Sequence, residues 1–425
     1  MEQMGNDFSA PAHVAEDAFR PSDPAPREQL FGLLSHAGRL PLWLMLGLFW
    51  LPVGMAVTPG HQPRSLYHWT LALTLFLPGL IALFRRRGEL ARQWLRSPPL
   101  QLCLALLVWS GITLFWATGA QVAERLKAPI FVVLYLSAWL AWSLERNRAE
   151  VQSLLWWTAV ALAAAALVAM IAFPWRHIVW HHRMIGLALL DGPNLSAYVM
   201  ACAFLWLTQL VPPMGARRYL GWSAMAVLLV FVGWTGSRGS WVALLACLVG
   251  MVLWRRDRWS LGLAAGSMAA VLLVLAVMPS ELMHRGMSYR PQIFRQALAF
   301  IEAHPWSGLG LGSDYRVIAG SQVLTHSHNI FTNVAIEVGL PGLVLWLLVW
   351  AWMGWQGWRH RRQPLGALML VTWIFASVAL QVDGPSFLQS PRAEWLLTWL
   401  PLAIALQLWF EDRGKGAAQE GCRAV

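Results

Sequence analysis

Charge is scarce in this 425-residue chain: Asp, Glu, Lys and Arg together make up 12% of it. A water-soluble domain carries about a quarter charged residues. Half of that cannot coat a solvent-facing surface, so a soluble globular protein is excluded. Cysteine is also sparse. Of the four present, Cys103, Cys202 and Cys247 fall inside apolar runs and Cys422 lies in the polar C-terminal segment. None forms a C-x-x-C pair, so neither a zinc site nor a disulfide framework is indicated. No internal repeat and no paired broken helices of the transporter kind are visible. Residues 1–38 lack the apolar core of a secretory signal and read as a disordered cytoplasmic tail.

What the chain has instead is apolar length. Hydrophobic residues make up 57%, and tryptophan, which favours the membrane–water boundary, occurs 28 times. About twelve apolar runs approach the ~20 residues needed to cross the hydrocarbon of a bilayer. The expected architecture is therefore an all-α polytopic membrane protein. Nine spans fill 39–279, a long loop covers 280–327, three more spans fill 328–410, and 411–425 forms a second polar tail. One helix from 220 to 254 would be about 52 Å long at ~1.5 Å per residue, too long for one crossing. Thr235-Gly236-Ser237-Arg238-Gly239 is read as a tight hairpin instead.

With both termini in the cytoplasm, about two thirds of the 32 lysines and arginines fall on the cytoplasmic side, as the positive-inside rule asks. The net charge of +11 is explained by that bias, with no need for nucleic acid as a partner. The long loop then lies outside. Within it Pro291 suits the first turn of a helix, and Ile293, Phe294, Ala297, Leu298 and Ile301 share one face. That pattern predicts a helix on the outer membrane surface, ended by His304-Pro305.

The cations on the outer side are the ones orientation does not explain. They include Arg125, Lys127, Arg176, Arg183, Arg238, Arg285, Arg290, Arg295 and Arg316. Each alone could snorkel to headgroups; as a set, converging guanidinium forks suit a phosphate or diphosphate. Thr325-His326-Ser327-His328-Asn329 offers two imidazoles that titrate near neutral pH, as a general base must. As metal ligands they lack a third partner at recognisable spacing. On a continuous helix they point ~200° apart, so only one of them faces a given cavity. His177, His181 and His182 read as interfacial. Glu337, inside the tenth span, is costly there unless paired. Asp191 precedes Gly192-Pro193-Asn194, a turn that opens the sixth span. Gly308-Leu309-Gly310-Leu311-Gly312 has no strand before it and reads as a flexible turn rather than a nucleotide loop.

Four of these patterns carry a resemblance. His328-Asn329 followed by Glu337, Gly339, Leu340, Pro341 and Gly342 is similar to the pattern of the O-antigen ligase and polymerase superfamily. His304-Pro305-x-x-Gly308-x-Gly310 resembles that family's stretch in the long external loop, and Thr235–Gly239 its arginine turn. Arg183-x-x-Gly186 with Pro193-Asn194 resembles a further landmark. The family's usual glycine before the loop arginine appears here as Tyr289. Together the patterns run in order from about 180 to 345.

The resemblance implies a GT-C-like glycosyltransferase of the bacterial inner membrane, free of cofactor and metal. Its donor would be an undecaprenyl diphosphate-linked glycan, used on the periplasmic face. The chain most resembles the ligase branch, which joins O-antigen to lipid A-core; the polymerase and protein-glycosylating branches are the alternatives. Carried onto this sequence, the resemblance implies that His328 and Arg238 are catalytic. Arg183, Arg238 and Arg290 would hold the donor diphosphate, with His326, Asn329, Glu337, Arg125 and Lys127 in support. From a different class, a transporter of polyprenyl-linked anions would need polar groups near the midplane and on both sides; here they gather at one face.

Overall fold

The computed structural model describes residues 38–60, 62–119, 122–176, 183–210, 214–277, 289–320 and 322–423. The N-terminal tail, the His177, His181 and His182 cluster and Arg285 lie outside these residues. From Arg39 onward the chain is a helical bundle. In order its helices are α1 (Arg39–Val57), α2 (Pro63–Arg85), α3 (Arg87–Arg96), α4 (Pro98–Thr113), α5 (Lys127–Ser143), α6 (Arg148–Arg176) and α7 (Pro193–Leu210). There follow α8 (Ala216–Thr235), α9 (Arg238–Arg255), α10 (Arg258–Val277), α11 (Arg290–Ala303), α12 (Ile330–Arg359), α13 (Pro364–Ala379) and α14 (Trp399–Arg423). Seven helices among the described residues are long and apolar enough to cross a membrane, or eight if the bent α3–α4 pair counts as one span. Every apolar run of the sequence is occupied by helix, and the chain is a polytopic membrane protein.

Local chemistry sets the boundaries. Proline opens α2, α4, α7 and α13, where its fixed φ suits the first turn and its missing N–H costs nothing. Ser97 precedes Pro98 and is extended, and there the chain bends by 87° between α3 and α4. Gly236, at φ 60°, closes α8 in the left-handed conformation, and α9 begins two residues later, giving the expected hairpin.

The core is centred on α7, whose residues 196–208 are all buried, packed by α6, α8, α9 and α13. Tryptophan departs from its expected place. Trp139, Trp142, Trp156, Trp206, Trp346, Trp395 and Trp399 are fully buried inside the bundle. Trp206 donates its indole N–H to Thr372 Oγ1 at 3.0 Å and Trp399 to the Phe387 carbonyl at 3.3 Å. For these two the burial is tolerated because the one donor finds an acceptor.

In the long loop α11 is present over the expected residues, with Ile293 and Ala297 buried against Tyr315, Val317, Ala319 and Ile336 while Phe294 and Leu298 stay exposed. A two-stranded hairpin, β1 (Val317–Ala319) with β2 (Gln322–Leu324), follows in antiparallel register, Ile318 opposite Val323. Strands of three residues leave too short an alternation to be read from sequence.

The glycine run 308–312 is no flexible turn. Inside α12 the helix breaks at Gly339 (φ 71°, ψ 179°), and Pro341 has no N–H to give. The loop repairs the break. Leu309 N donates to the Ile336 carbonyl at 2.7 Å, Gly310 N to the Glu337 carbonyl at 2.9 Å, and Leu340 N to the Pro305 carbonyl at 2.7 Å. Trp109 Nε1 donates to the Val338 carbonyl at 2.8 Å. The approach is so close that a Cβ on Gly308 would lie 2.6 Å from the Glu337 carbonyl oxygen. His304-Pro305-x-x-Gly308-x-Gly310 and Glu337-x-Gly339-Leu340-Pro341 are thus two halves of one joint.

A candidate active site where the interhelical loops converge

The loops at one end of the bundle are tied to each other by hydrogen bonds. Leu189 N reaches the Met55 carbonyl, Met184 N that of Trp234, Asp314 N that of Thr118, and Ile330 N that of Leu380. Through the last of these bonds the entry to α12 is fixed beside the segment that follows α13. Asn333 Nδ2 adds a bond to the Gly384 carbonyl at 2.8 Å, and Tyr315 OH donates to Asn333 Oδ1.

This entry carries the two histidines. Asn329 caps α12, its Oδ1 accepting from the N–H groups of Phe331 (2.9 Å) and Thr332 (3.2 Å). The residues before it are therefore outside the helix, and the opposed directions expected of His326 and His328 do not arise. Their rings lie 4.0 Å apart, centroid to centroid. Both reach Asp383, with His328 Nδ1 2.7 Å and His326 Nε2 3.7 Å from Oδ1. His328 has φ 54°, a conformation that costs a non-glycine residue about 1–3 kcal/mol. It is held there by Asp383 on one side and the cap on the other.

Burial works to raise the Asp383 carboxyl, but hydrogen bonds from His326, His328 and Asn194 outweigh it and hold the group well below the usual carboxylate range. A carboxylate only accepts, so the Nδ1 of His328 carries the proton it shares with Asp383. The neutral ring then presents Nε2 as a bare acceptor. That tautomer is the one a general base requires.

The arginines enter from three other segments. Arg183 donates through Nε to the Thr235 carbonyl (2.7 Å) and through Nη2 to Asn194 Oδ1 (2.9 Å). Asn194 passes the connection on, its Nδ2 donating to Asp383 Oδ2 at 2.7 Å. Ser237 Oγ donates to the same Asn194 oxygen at 3.0 Å, and Arg238 follows it as the first residue of α9. The next residue, Gly239, is pressed on Val382: a Cβ there would lie 2.6 Å from Val382 Cγ1. Arg290, first residue of α11, donates to the Val382 carbonyl. Its neighbour Tyr289 caps the helix at φ 57°, a geometry glycine adopts without strain. Residues 382–383 are thus bonded directly by His328 and Arg290 and, through Asn194, by Arg183, with the Arg238 turn alongside.

Other residues singled out from the sequence play different parts. Glu337 is buried in α12 and accepts from Ser386 Oγ at 2.5 Å. Arg125 donates to the Leu388 carbonyl at 2.8 Å. Both brace the segment after Asp383 rather than reach His328. Lys127 opens α5 as an exposed residue, and no described contact ties it to the histidines. Sequence reasoning passed over Asp383, although it is the only acidic residue between Glu337 and Glu394 and follows an apolar run on the same side as the arginines. It is also the third partner that the histidine pair lacked, since His326, His328 and Asp383 each place a ligand atom within 4.8 Å of the others. The two closest of those atoms already share the 2.7 Å hydrogen bond, which an ion would have to break.

Comparison with known proteins agrees with the patterns that lie in these loops. A family model described as O-antigen ligase matches residues 223–347, from α8 through the break in α12. An O-antigen ligase of Pseudomonas aeruginosa is 30% identical over 388 residues, covering 90% of this chain and 93% of that protein. With that identity over nearly its whole length, the chain belongs to the O-antigen ligase family.

Proposed function

We propose that the chain transfers O-antigen from undecaprenyl diphosphate to an outer-core sugar of lipid A-core, by metal-independent, inverting glycosyl transfer at the periplasmic face of the bacterial inner membrane. The observation that supports this reading is the His328–Asp383 pair, with Arg183 linked to Asp383 through Asn194, Arg290 bonded to the neighbouring Val382 carbonyl, and Arg238 opening α9 two residues after the turn. The donor sugar is bonded at C1 to the diphosphate. As the acceptor hydroxyl oxygen attacks C1, Nε2 of His328 takes its proton, and the C1–O bond to the diphosphate breaks with the electron pair leaving on that oxygen. Arg183, Arg238 and Arg290 bind the diphosphate and stabilise the charge it gains. Loss of one comparable donor costs about 3–4 kcal/mol elsewhere. Asp383 holds the His328 tautomer and stabilises the imidazolium that forms. Attack opposite the leaving group inverts the anomeric centre. The products are glycosylated lipid A-core and undecaprenyl diphosphate, and the proton passes from His328 to water.

In this reading the bundle crosses the membrane about twelve times in a GT-C-like arrangement. Both termini are cytoplasmic, and 280–327 forms the periplasmic loop with α11 along the membrane surface. The glycosyl diphosphate is already activated, so neither ATP nor a metal is required.

The test incubates purified protein, treated with chelator, with lipid-linked O-antigen and lipid A-core, and resolves the products on a gel. Glycan on lipid A-core is the expected result. Longer glycan still on the polyprenyl carrier would identify a polymerase instead. A reaction abolished by chelator and restored by a divalent ion would overturn the metal-free mechanism.

A further inference from the structure

A cavity of about 210 Å³ opens beside the histidine site and includes neither His328 nor Asp383. Its ionisable lining comes from four segments at the same end of the bundle: Arg64 and His68 on α2, Glu124 and Arg125 before α5, Asp191 before α7, and Arg392 after Asp383. Two of its walls are shared with the candidate active site. Leu195 lines the cavity, while its neighbour Asn194 bonds Asp383. The segment that begins at Asp383 reaches the cavity six residues later.

Part of the lining is fixed. Arg392 donates to Gln389 Oε1 at 2.9 Å and pairs with Glu394 at 3.0 Å; His68 Nε2 lies 3.3 Å from the Pro391 carbonyl. Arg64 on α2 and Asp191 before α7 make no hydrogen bond or ion pair among the described residues. They are a donor and an acceptor left for something else.

We propose that this cavity is a saccharide subsite that seats a sugar residue of one of the two glycans while another sugar sits at His328. The proposal rests on the glycan-transfer reading above. Its chemistry follows from the mixed lining. A phosphate would gain from the arginines but would be repelled by Asp191 and Glu124. A sugar ring carries hydroxyls that both donate and accept, and so uses both kinds of group. Leu189, Leu190 and Leu195 give its C–H face an apolar floor. Such a pocket, mostly formed in advance with a few placed polar groups, is the common design for a small ligand. Donor and acceptor glycans offer the same chemistry, and binding separates them.

The probes are the core oligosaccharide stripped of its acyl chains and O-antigen polysaccharide cut from its carrier. Each is titrated by calorimetry into the full chain in nanodiscs, as wild type, Arg64→Ala and Asp191→Asn, with melting temperature as the folding control. Both side chains are exposed, and Asp191→Asn changes no shape. One saccharide should bind the wild type and bind at least fivefold more weakly to either variant, and which one it is names the glycan. Failure of both saccharides to bind the wild type, or binding that neither substitution changes, overturns the proposal. So does inorganic phosphate binding that Arg64→Ala removes while saccharide binding is untouched. Saccharide binding of the expected kind without any glycan transfer would sink the ligase reading and leave the subsite standing.

Discussion

Replacing Asp383 by asparagine separates shape from charge at the centre of the site. The carboxylate accepts on both oxygens, from His328 at 2.7 Å and from Asn194 at 2.7 Å. An amide has one acceptor, so one of these donors must lose its partner whichever way the group is turned. If the NH₂ faces His328, the ring is driven to the other tautomer and Nε2 is protonated, useless as a base. If it faces Asn194, two amide donors confront each other and the bond through Asn194 to Arg183 is disturbed. A positioned base is worth about 10²–10⁴ in rate. Asp383→Asn should therefore lower kcat by that factor, or ~2.7–5.4 kcal/mol at ~1.36 kcal/mol per tenfold. Donor affinity should fall less than kcat, because Asp383 reaches the diphosphate only indirectly, through Asn194 and Arg183. Initial rates of glycan transfer by the purified variant, with its melting temperature as a check on folding, measure both. A variant within threefold of wild type would refute the role given to the pair.

Arg238→Ala should reduce kcat about 10²–10³-fold with insertion and melting temperature preserved, since it removes one fixed donor from the leaving group; unchanged transfer would remove it from the mechanism. Gly308→Ala should destabilise the fold by about 1–3 kcal/mol, read as a lower melting temperature, because its φ is 63° and a Cβ would press on the Glu337 carbonyl. The depressed Asp383 carboxyl gives a sign for pH. Its contribution to stability is present above its unfolded value of ~3.9 and is lost as pH falls towards the folded one. Wild-type melting temperature should drop below about pH 4, and Asp383→Asn should lose less over the same range.

The apolar helices, the Arg238 hairpin and α11 were legible because each rests on local periodicity or one punctuating residue. His328 and the arginines stood out as candidates through short patterns whose order resembles a family. Most of what escaped depends on contacts between segments far apart in the chain. Asp383 gains meaning only when the residues after α13 fold back on the start of α12. The relation of His326 to His328 turned on where the helix begins, which Asn329 decides by capping it. The glycine run read as slack because its partners, the carbonyls of Ile336 and Glu337, are exposed only by the break at Gly339 and Pro341. Trp206 went inside for a similar reason, its acceptor Thr372 lying on another helix.

That joint bears on how the protein is made. In hydrocarbon an unsatisfied carbonyl costs several kcal/mol, so α12 released alone into a bilayer would carry unmet groups at its bend. The residues that meet them, Leu309, Gly310 and Pro305, stand earlier in the chain. During synthesis the repair piece is thus translated before the part it repairs. The order of the sequence is also an order of assembly, in which α12 can take its bent form on arrival.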